Sequence, residues 1–276
     1  MDARRHIHAL RKVIDAVQPA VPASAESRFA LGANGPDRAL GGGLQRGALH
    51  EIIAAGQPDA AAAAGFCAGL CISATRRAHG AGARAPAAAR RHGVVWIRQV
   101  YGEMESGKLY PHGLREMGMP PGRLIHIRLK DATEILRAGM EAIGCKALGA
   151  VVVEIPGSPK ILDLTATRRL SLAAEKSGVP VFLLRICPQA EGSAATTRWQ
   201  IRSAPSRALE ANAPGLAAFD IALLRHRAGS AGQRWRLEWD RDAQLFREPA
   251  LSRPVVSLSP DRPATSSGKE EWRRAG

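Results

Sequence analysis

Two uninterrupted apolar segments constrain the fold of this chain most strongly. They are ALGAVVVEI (147–155) and VPVFLLRI (179–186), and an amphipathic segment, 163–178, separates them. A strand that is apolar on both faces is typical of a parallel sheet that helices cover on both sides. A third apolar segment (93–100) and a second helical segment (131–144) come earlier in the chain. This order of strand, helix, strand, helix and strand predicts an α/β fold.

After these elements the pattern changes from alternating strands and helices to strands alone. The segments 197–205, 216–227 and 233–240 have the composition of strands, and no helical segment separates them. Such a series favours antiparallel pairing. We therefore expect an antiparallel extension at the edge of a mainly parallel sheet that is flanked by helices.

Changes in composition along the chain predict its domain organisation. Residues 4–18 have the spacing of an amphipathic helix, and prolines follow it. From about residue 248 the chain is rich in Pro and Ser and has no apolar period, which is typical of disorder. The predicted divisions are an N-terminal helix and linker, one α/β domain and a disordered tail, at 1–28, 29–247 and 248–276.

The charge of the chain favours acidic partners. The net charge is +14 at pH 7, which suits a nucleic acid or an acidic protein surface. An Arg-rich composition also follows from a GC-rich genome, so the charge alone does not decide between partners. The segment 76–92 contains Arg and His without any acid and predicts a mobile basic loop, which is either solvated or in contact with nucleic acid.

The sequence carries no signal for a membrane, for secretion or for a metal. No apolar run reaches the roughly 18 residues of a membrane span, and the N-terminus lacks the apolar core of a signal peptide. Cys67 and Cys71 are four residues apart, but no second pair stands at zinc-finger spacing. We therefore expect a cytoplasmic protein with neither a metal nor another cofactor.

A glycine-rich segment, LGANGPDRALGGGLQRGALHEI (31–52), gives the first sign of a family. It resembles the segment that precedes the phosphate loop in RecA-related proteins. The matching residues are Leu31, Gly32, Asp37, Ala39, Leu40, Gly41, Gly42, Gly43, Leu44, Arg46, Gly47, Glu51 and Ile52. The resemblance implies that the α/β domain is a RecA-like core.

The phosphate loop that should follow is degenerate. A working loop reads G-x-x-x-x-G-K-[ST], in which backbone N–H groups and the Lys hold the phosphates and the hydroxyl holds Mg²⁺. The chain has Gly56, but Ala60 and Ala61 stand near the positions of the Lys and the hydroxyl. Pro58 also removes a backbone N–H. We therefore expect no ATP hydrolysis, no catalytic residue and no enzyme activity.

A second glycine motif offers an alternative site for a nucleotide. GEMESGKL (102–109) matches G-x-x-x-x-G-K, with Leu109 in place of the hydroxyl residue. We expect the next residues, which include Pro111, not to open the helix that a phosphate site needs, and the two glutamates to repel phosphate. Weak nucleotide binding through Lys108 remains the alternative.

Longer segments resemble the ImuA family, RecA-related proteins of bacterial inducible mutagenesis. They are 109–127, 168–185 and 193–206, and with the glycine-rich segment the resemblance covers roughly residues 29–206. It implies a non-catalytic adaptor in the SOS response to DNA damage, in error-prone translesion DNA synthesis, which is nucleoid-associated when active. The implied partners are ImuB, a catalytically inactive Y-family polymerase homologue, RecA and, indirectly, an error-prone replicative-type DNA polymerase. Self-association is implied as well.

Five residues are candidates for contacts with a partner or with DNA. Arginine can pair with phosphate and tryptophan can stack on a base, but Trp199 also suits the core and the arginines also suit solvent. Arg168 and Arg169 are adjacent, so they point to different sides of their helix. A non-specific DNA-binding protein of DNA repair is the alternative function. The five candidates are Arg168, Arg169, Arg198, Trp199 and Arg202.

Overall fold

The structure, a computed structural model, describes residues 27–76, 93–189, 191–229 and 231–249. The predicted N-terminal helix, the basic loop beyond Arg76 and the predicted tail from residue 250 lie outside these ranges. The elements are β1 (Arg28–Phe29), α1 (Asn34–Ala39), β2 (Leu44–Gln45), β3 (Leu49–Ala54), α2 (Ala60–Thr75), β4 (Gly93–Gln99), α3 (Gly102–Ser106), α4 (Pro111–Glu116), β5 (Leu124–Leu129), α5 (Ala132–Gly144), β6 (Leu148–Pro156), α6 (Leu164–Ser177), β7 (Val181–Ile186), β8 (Thr197–Ala204), β9 (Ala218–His226), β10 (Arg234–Asp240) and β11 (Leu245–Arg247).

Nine of these strands form one sheet in the order β11-β10-β9-β8-β3-β7-β6-β4-β5. The strands from β8 to β5 pair in parallel, and β9, β10 and β11 pair antiparallel at the other side. The predicted α/β fold with an antiparallel extension is therefore confirmed. The extension begins at β9, however, because β8 pairs in parallel with β3 as well as antiparallel with β9. The edge strand β5 was not predicted.

Helices cover both faces of the parallel strands. On β7, Phe182 joins the core beneath α2, whereas Val181 and Leu183 join the core beneath α5 and α6. This arrangement explains why β6 and β7 are apolar at consecutive positions. No helix within the described ranges is long and apolar enough to cross a membrane.

The two helices on the second face begin at acidic caps. Asp131 Oδ1 accepts hydrogen bonds from the N–H groups of Thr133 and Glu134, each at 2.9 Å, at the start of α5. Asp163 Oδ1 accepts from the N–H of Ala166 at 2.7 Å at the start of α6. Each cap pairs backbone donors that the helix leaves free.

The glycine-rich segment forms a short helix and a strand pair that lead into β3. Asp37 in α1 accepts hydrogen bonds from the N–H groups of Leu31 and Gly32, at 2.8 and 2.9 Å. Gly43 has φ 116°, and a Cβ there would collide with the carbonyl of Phe29. Glycine is required at this position, because β2 passes directly against β1.

Candidate functional site

The connection from β3 to α2 occupies the place of a phosphate loop. Gly56 is fully extended, and one 3-10 turn, Gln57–Asp59, leads directly into the helix. Asp59 Oδ1 accepts hydrogen bonds from the N–H and the Oγ of Ser203 on β8, at 2.8 and 2.9 Å. The turn is therefore bonded to the neighbouring strand, and a carboxylate stands where a phosphate-binding loop presents donors.

The residues at the helix start carry no side-chain group that could bind phosphate. Counted from Gly56, the second glycine, the lysine and the hydroxyl of the motif fall on residues 61 to 63. All three are alanines, and the positions of the lysine and the hydroxyl each lie two residues beyond the expected Ala60 and Ala61. Ala63 is completely buried in the core beneath α2. The loop therefore has neither the charge for a γ-phosphate nor the hydroxyl for Mg²⁺.

The acid near the end of β6 is bound within the protein. Glu154 is 3% exposed; its Oε2 accepts a hydrogen bond from Trp96 Nε1 at 2.7 Å, and its Oε1 accepts one from Arg98 Nη2 at 2.9 Å. Burial raises the pKa of the Glu154 carboxyl, and Arg98 and Trp96 counteract that rise. Both oxygens thus have buried partners, which is the arrangement of a structural ion pair.

A cleft of about 400 Å³ opens beside this ion pair, at the carboxyl ends of the parallel strands. Alanines of α2, including Ala60 and Ala61, line one side, and Arg98 and Lys108 lie on the other. The fold therefore brings the degenerate loop and the lysine of the second glycine motif to one place. Lys108 is the group through which the alternative of weak nucleotide binding would act.

The second glycine motif does not form a phosphate-binding loop. Its first residues are helical, in α3, and Gly107 has φ 78° and donates its N–H to the carbonyl of Glu103 at 3.0 Å. The expectation that the following residues cannot open a helix is wrong, because α4 begins at Pro111. Proline fits there because a first-turn residue needs no N–H partner.

Arg198 contacts a buried acid of its own chain. Its Nε lies 2.7 Å from Glu51 Oε2, and Arg185 Nη1 lies 3.5 Å from Glu51 Oε1. These are ion pairs by distance, although the groups are not aligned as hydrogen bonds. Burial lowers the pKa of Arg185, and Glu51 and Glu191 counteract this. Arg198 was predicted to contact a partner or DNA. In the structure its side chain instead offsets the charge of the buried Glu51 carboxylate.

Trp199 is a core residue, so its ring does not reach a base. The side chain is completely buried, and Nε1 donates to Thr197 Oγ1 at 2.9 Å. The same hydroxyl lies 2.8 Å from His50 Nδ1, while His50 Nε2 lies 2.8 Å from the carbonyl of Gln45. Burial lowers the pKa of His50 to about 4. Trp199 was predicted either to stack on a base or to belong to the core, and the structure places it in the core.

Arg202 lies on β8, on an exposed face of the sheet that continues onto β9 and β10. It lines a shallow cleft with Arg234, Arg236 and Asp220. Arg236 binds the Asp220 carboxylate with two hydrogen bonds, at 2.8 and 3.0 Å. Arg202 and Arg234 have no ion pair in the part of the chain that the structure describes, so both are available to an anion.

Arg168 and Arg169 are both exposed on α6 and, as predicted, point to different sides. Arg169 lines a groove between α5 and α6, whereas Arg168 does not. The structure thus separates the five candidates into two interior residues, Arg198 and Trp199, and three surface arginines.

Sequence reasoning missed the buried arginines of the sheet. Arg98 and Arg185 stand within apolar strands, where an unpaired charge would be costly. An arginine in an apolar strand therefore predicts that an acid lies nearby in the fold. The identity of the acid depends on the strand order, which places Glu154 next to β4 and Glu51 next to β7.

Comparison with known proteins first defines the class. The crystal structure of the RadB recombinase matches 80% of this chain and 99% of its own, with a TM-score of 0.53 and 16% sequence identity. At that identity the likeness shows the fold, which is RecA-like. No family model matches the chain.

Two curated relatives then define the family. Protein ImuA from Caulobacter vibrioides, in strain NA1000 / CB15N and in strain ATCC 19089 / CIP 103742 / CB 15, is 33% identical over 213 residues. The match covers 73% of this chain and 72% of each relative. The chain belongs to the ImuA family.

Proposed function

We propose that this protein is a non-catalytic RecA-like adaptor in SOS-induced, error-prone translesion DNA synthesis. It binds an ImuB-type inactive polymerase homologue, RecA or both, and through them serves an error-prone replicative-type polymerase. One observation carries the proposal: a RecA-like fold retains the place of the phosphate loop, but alanines fill it. The acid beside it, Glu154, is bonded internally to Trp96 and Arg98.

Loss of nucleotide chemistry leaves the surface as the working part of the molecule. A RecA-like fold that neither binds nor hydrolyses ATP cannot use hydrolysis to switch its partners. Binding must then come from fixed surface groups, and Arg169 on α6 and Arg202 on β8, which form no ion pair among the described residues, are such groups. The net charge of +14 supports an acidic partner.

Binding to purified partners tests the adaptor function. The full chain is mixed with an ImuB-type protein or with RecA, each with and without single-stranded DNA, and the complexes are resolved by size-exclusion chromatography. We expect a complex with at least one partner at micromolar concentration, unaffected by adding or removing ATP. A clean failure with both would contradict the proposal, and a strict need for ATP would contradict the non-catalytic part of it.

Direct DNA binding is the second candidate function, and the exposed sheet face shared by β8, β9 and β10 favours it. Arg202 and Arg234 lie there without an acidic partner in the described residues. Phosphate contacts make affinity fall steeply with salt, with a slope that drops by about one for each contact removed. The double variant Arg202→Ala, Arg234→Ala should therefore flatten the salt dependence. Salt-independent binding, or none at low salt, would exclude this function.

A further inference from the structure

Apolar and charged side chains together line a groove between α5 and α6. It has a volume of about 440 Å³. Thr133, Leu136, Arg137 and Met140 line it from α5 at the spacing i, i+3, i+4 and i+7, which is one face of a helix about 10 Å long. That length suits one or two anchor side chains of a partner segment.

Apolar side chains in this groove remain exposed. Ile161, just before α6, is 45% exposed, and Met140 is 37% exposed. Leu136 and Leu170 form the floor between the two helices. Adjacent exposed apolar side chains that share one depression are typical of a surface that a partner covers.

Two arginines and one aspartate line the groove. Arg137 and Arg169 both line it, and neither has an ion pair among the residues that the structure describes. The nearby acid, Asp163, is engaged at the start of α6, where it accepts the N–H of Ala166. An occupant that buries Met140 and Ile161 therefore meets two unpaired guanidinium groups, which favour carboxylates.

We propose that this groove binds an acidic segment of a partner protein, one that carries aliphatic or aromatic anchors next to Asp or Glu. The inference rests on the proposed adaptor function, and it identifies the groove between α5 and α6 as a surface through which the adaptor binds a partner. The anchors fill the apolar floor, and the carboxylates pair with Arg137 and Arg169. Arg168, one position earlier on α6, lies outside the groove and takes no part.

Charge distinguishes this occupant from the others that the chain offers. Residues 1–26 and 251–276 each contain more Lys and Arg than Asp and Glu. Their net charge is therefore positive, like the two arginines of the groove, and does not complement them. A nucleic acid offers phosphates but no side chain for the apolar floor. A second copy of the chain could offer Leu209, which is 58% exposed, followed by Glu210. That occupant is a distinct outcome of the test.

Charge reversal on neighbouring residues of one helix tests the proposal. Arg169→Glu and Arg137→Glu are compared with Arg168→Glu, which makes the same change in charge on the same exposed helix. Ile161→Ser tests the apolar floor. The full-length variants are titrated against whichever partner the wild type binds. They are also titrated against a short labelled peptide with leucines one helical turn apart among glutamates, and against its glutamine counterpart.

We expect Arg169→Glu with Arg137→Glu to weaken partner binding about tenfold, because each change converts an attraction into a repulsion. Arg168→Glu should stay within about twofold of the wild type. Equal behaviour of Arg169→Glu and Arg168→Glu toward a partner that the wild type binds would overturn the groove but keep the adaptor function.

The peptide titration distinguishes the groove proposal from the adaptor function if the wild type binds neither partner. That result would overturn the adaptor function, and the groove would then stand only if the acidic peptide binds more tightly than its glutamine counterpart and loses this preference in Arg169→Glu. Analytical ultracentrifugation of the chain alone tests whether a second copy of the chain occupies the groove. If the groove variants abolish self-association and leave partner binding unchanged, the occupant is a second copy and the proposal is wrong.

Discussion

The arginines of the sheet interior and the arginines of the surface have different roles in this molecule. Arg98 is 3% exposed and holds Glu154, and Arg185 is 3% exposed beside Glu51. Arg169 and Arg202 are exposed and form no ion pair in the described part of the chain, because the acids nearby, Asp163 and Asp220, are bonded to Ala166 N–H and to Arg236. The interior charges are paired within the fold, whereas these surface charges are exposed to solvent.

Removing the acid of the interior pair should give the largest effect. Glu154→Ala leaves the Arg98 charge and the Trp96 N–H buried without a partner, so the free energy of unfolding should fall by about 3 to 5 kcal/mol in urea titration. Arg98→Met combined with Glu154→Leu should cost less, because no charge is left alone. An unchanged midpoint in Glu154→Ala would mean that the pair is not structural.

Acid should destabilise the protein through His50. Its folded-state pKa is about 4, below the 6.5 of an exposed histidine, so the unfolded chain binds more protons between these values. The stabilisation is complete above the unfolded pKa and is lost as the pH falls toward the folded pKa. From about pH 7 to about pH 5 the wild type should lose about 2 kcal/mol relative to His50→Gln.

The contribution of Glu154 has the opposite sign, because its folded-state pKa is raised. It is present in both proteins and cancels in the difference between wild type and His50→Gln. A pH-independent difference between the two would show that His50 titrates normally and is therefore not enclosed as described.

The turn that replaces the phosphate loop should have an intermediate effect. Asp59→Ala removes two hydrogen bonds to Ser203, and the free energy of unfolding should fall by about 1 kcal/mol. Asp59→Asn keeps an acceptor oxygen and serves as the matched control. A gain in stability in Asp59→Ala would indicate that this carboxylate is strained at the helix start, as expected of a residue kept for function.

The surface arginines should matter least for stability. Arg202→Ala and Arg234→Ala should each change the free energy of unfolding by no more than about 0.5 kcal/mol, because neither side chain has a partner in the described structure. Thermal unfolding at matched salt measures this. A larger loss would show that these arginines contact residues beyond the described ranges.

The fold was predictable from the sequence to the extent that its elements are strongly periodic. The apolar runs of β6 and β7 and the capped helices α5 and α6 lie where the patterns indicate. The strand β5 at the sheet edge was missed, although the alternation of His126 and Arg128 with apolar neighbours was a usable signal. The parallel pairing of β8 with β3 was missed because strand order does not follow from local pattern.

The absence of the phosphate-loop lysine could be predicted from the sequence, but the contacts that surround the degenerate loop could not. The missing lysine follows from the alanines after Gly56. The internal use of Glu154 by Arg98 needs β4 and β6 to be neighbours, and the chain places three helices and a strand between them. The position of Lys108 beside the degenerate loop is also a product of the topology.

Titration of the purified protein with a fluorescent ATP analogue and Mg²⁺ tests the central claim most directly. The account predicts no saturable binding at millimolar nucleotide, because residues 61 to 63 are alanines and Glu154 is bonded to Trp96 and Arg98. Saturable binding that disappears in Lys108→Ala would contradict it. The cleft would then be a nucleotide site with its lysine supplied from the second glycine motif.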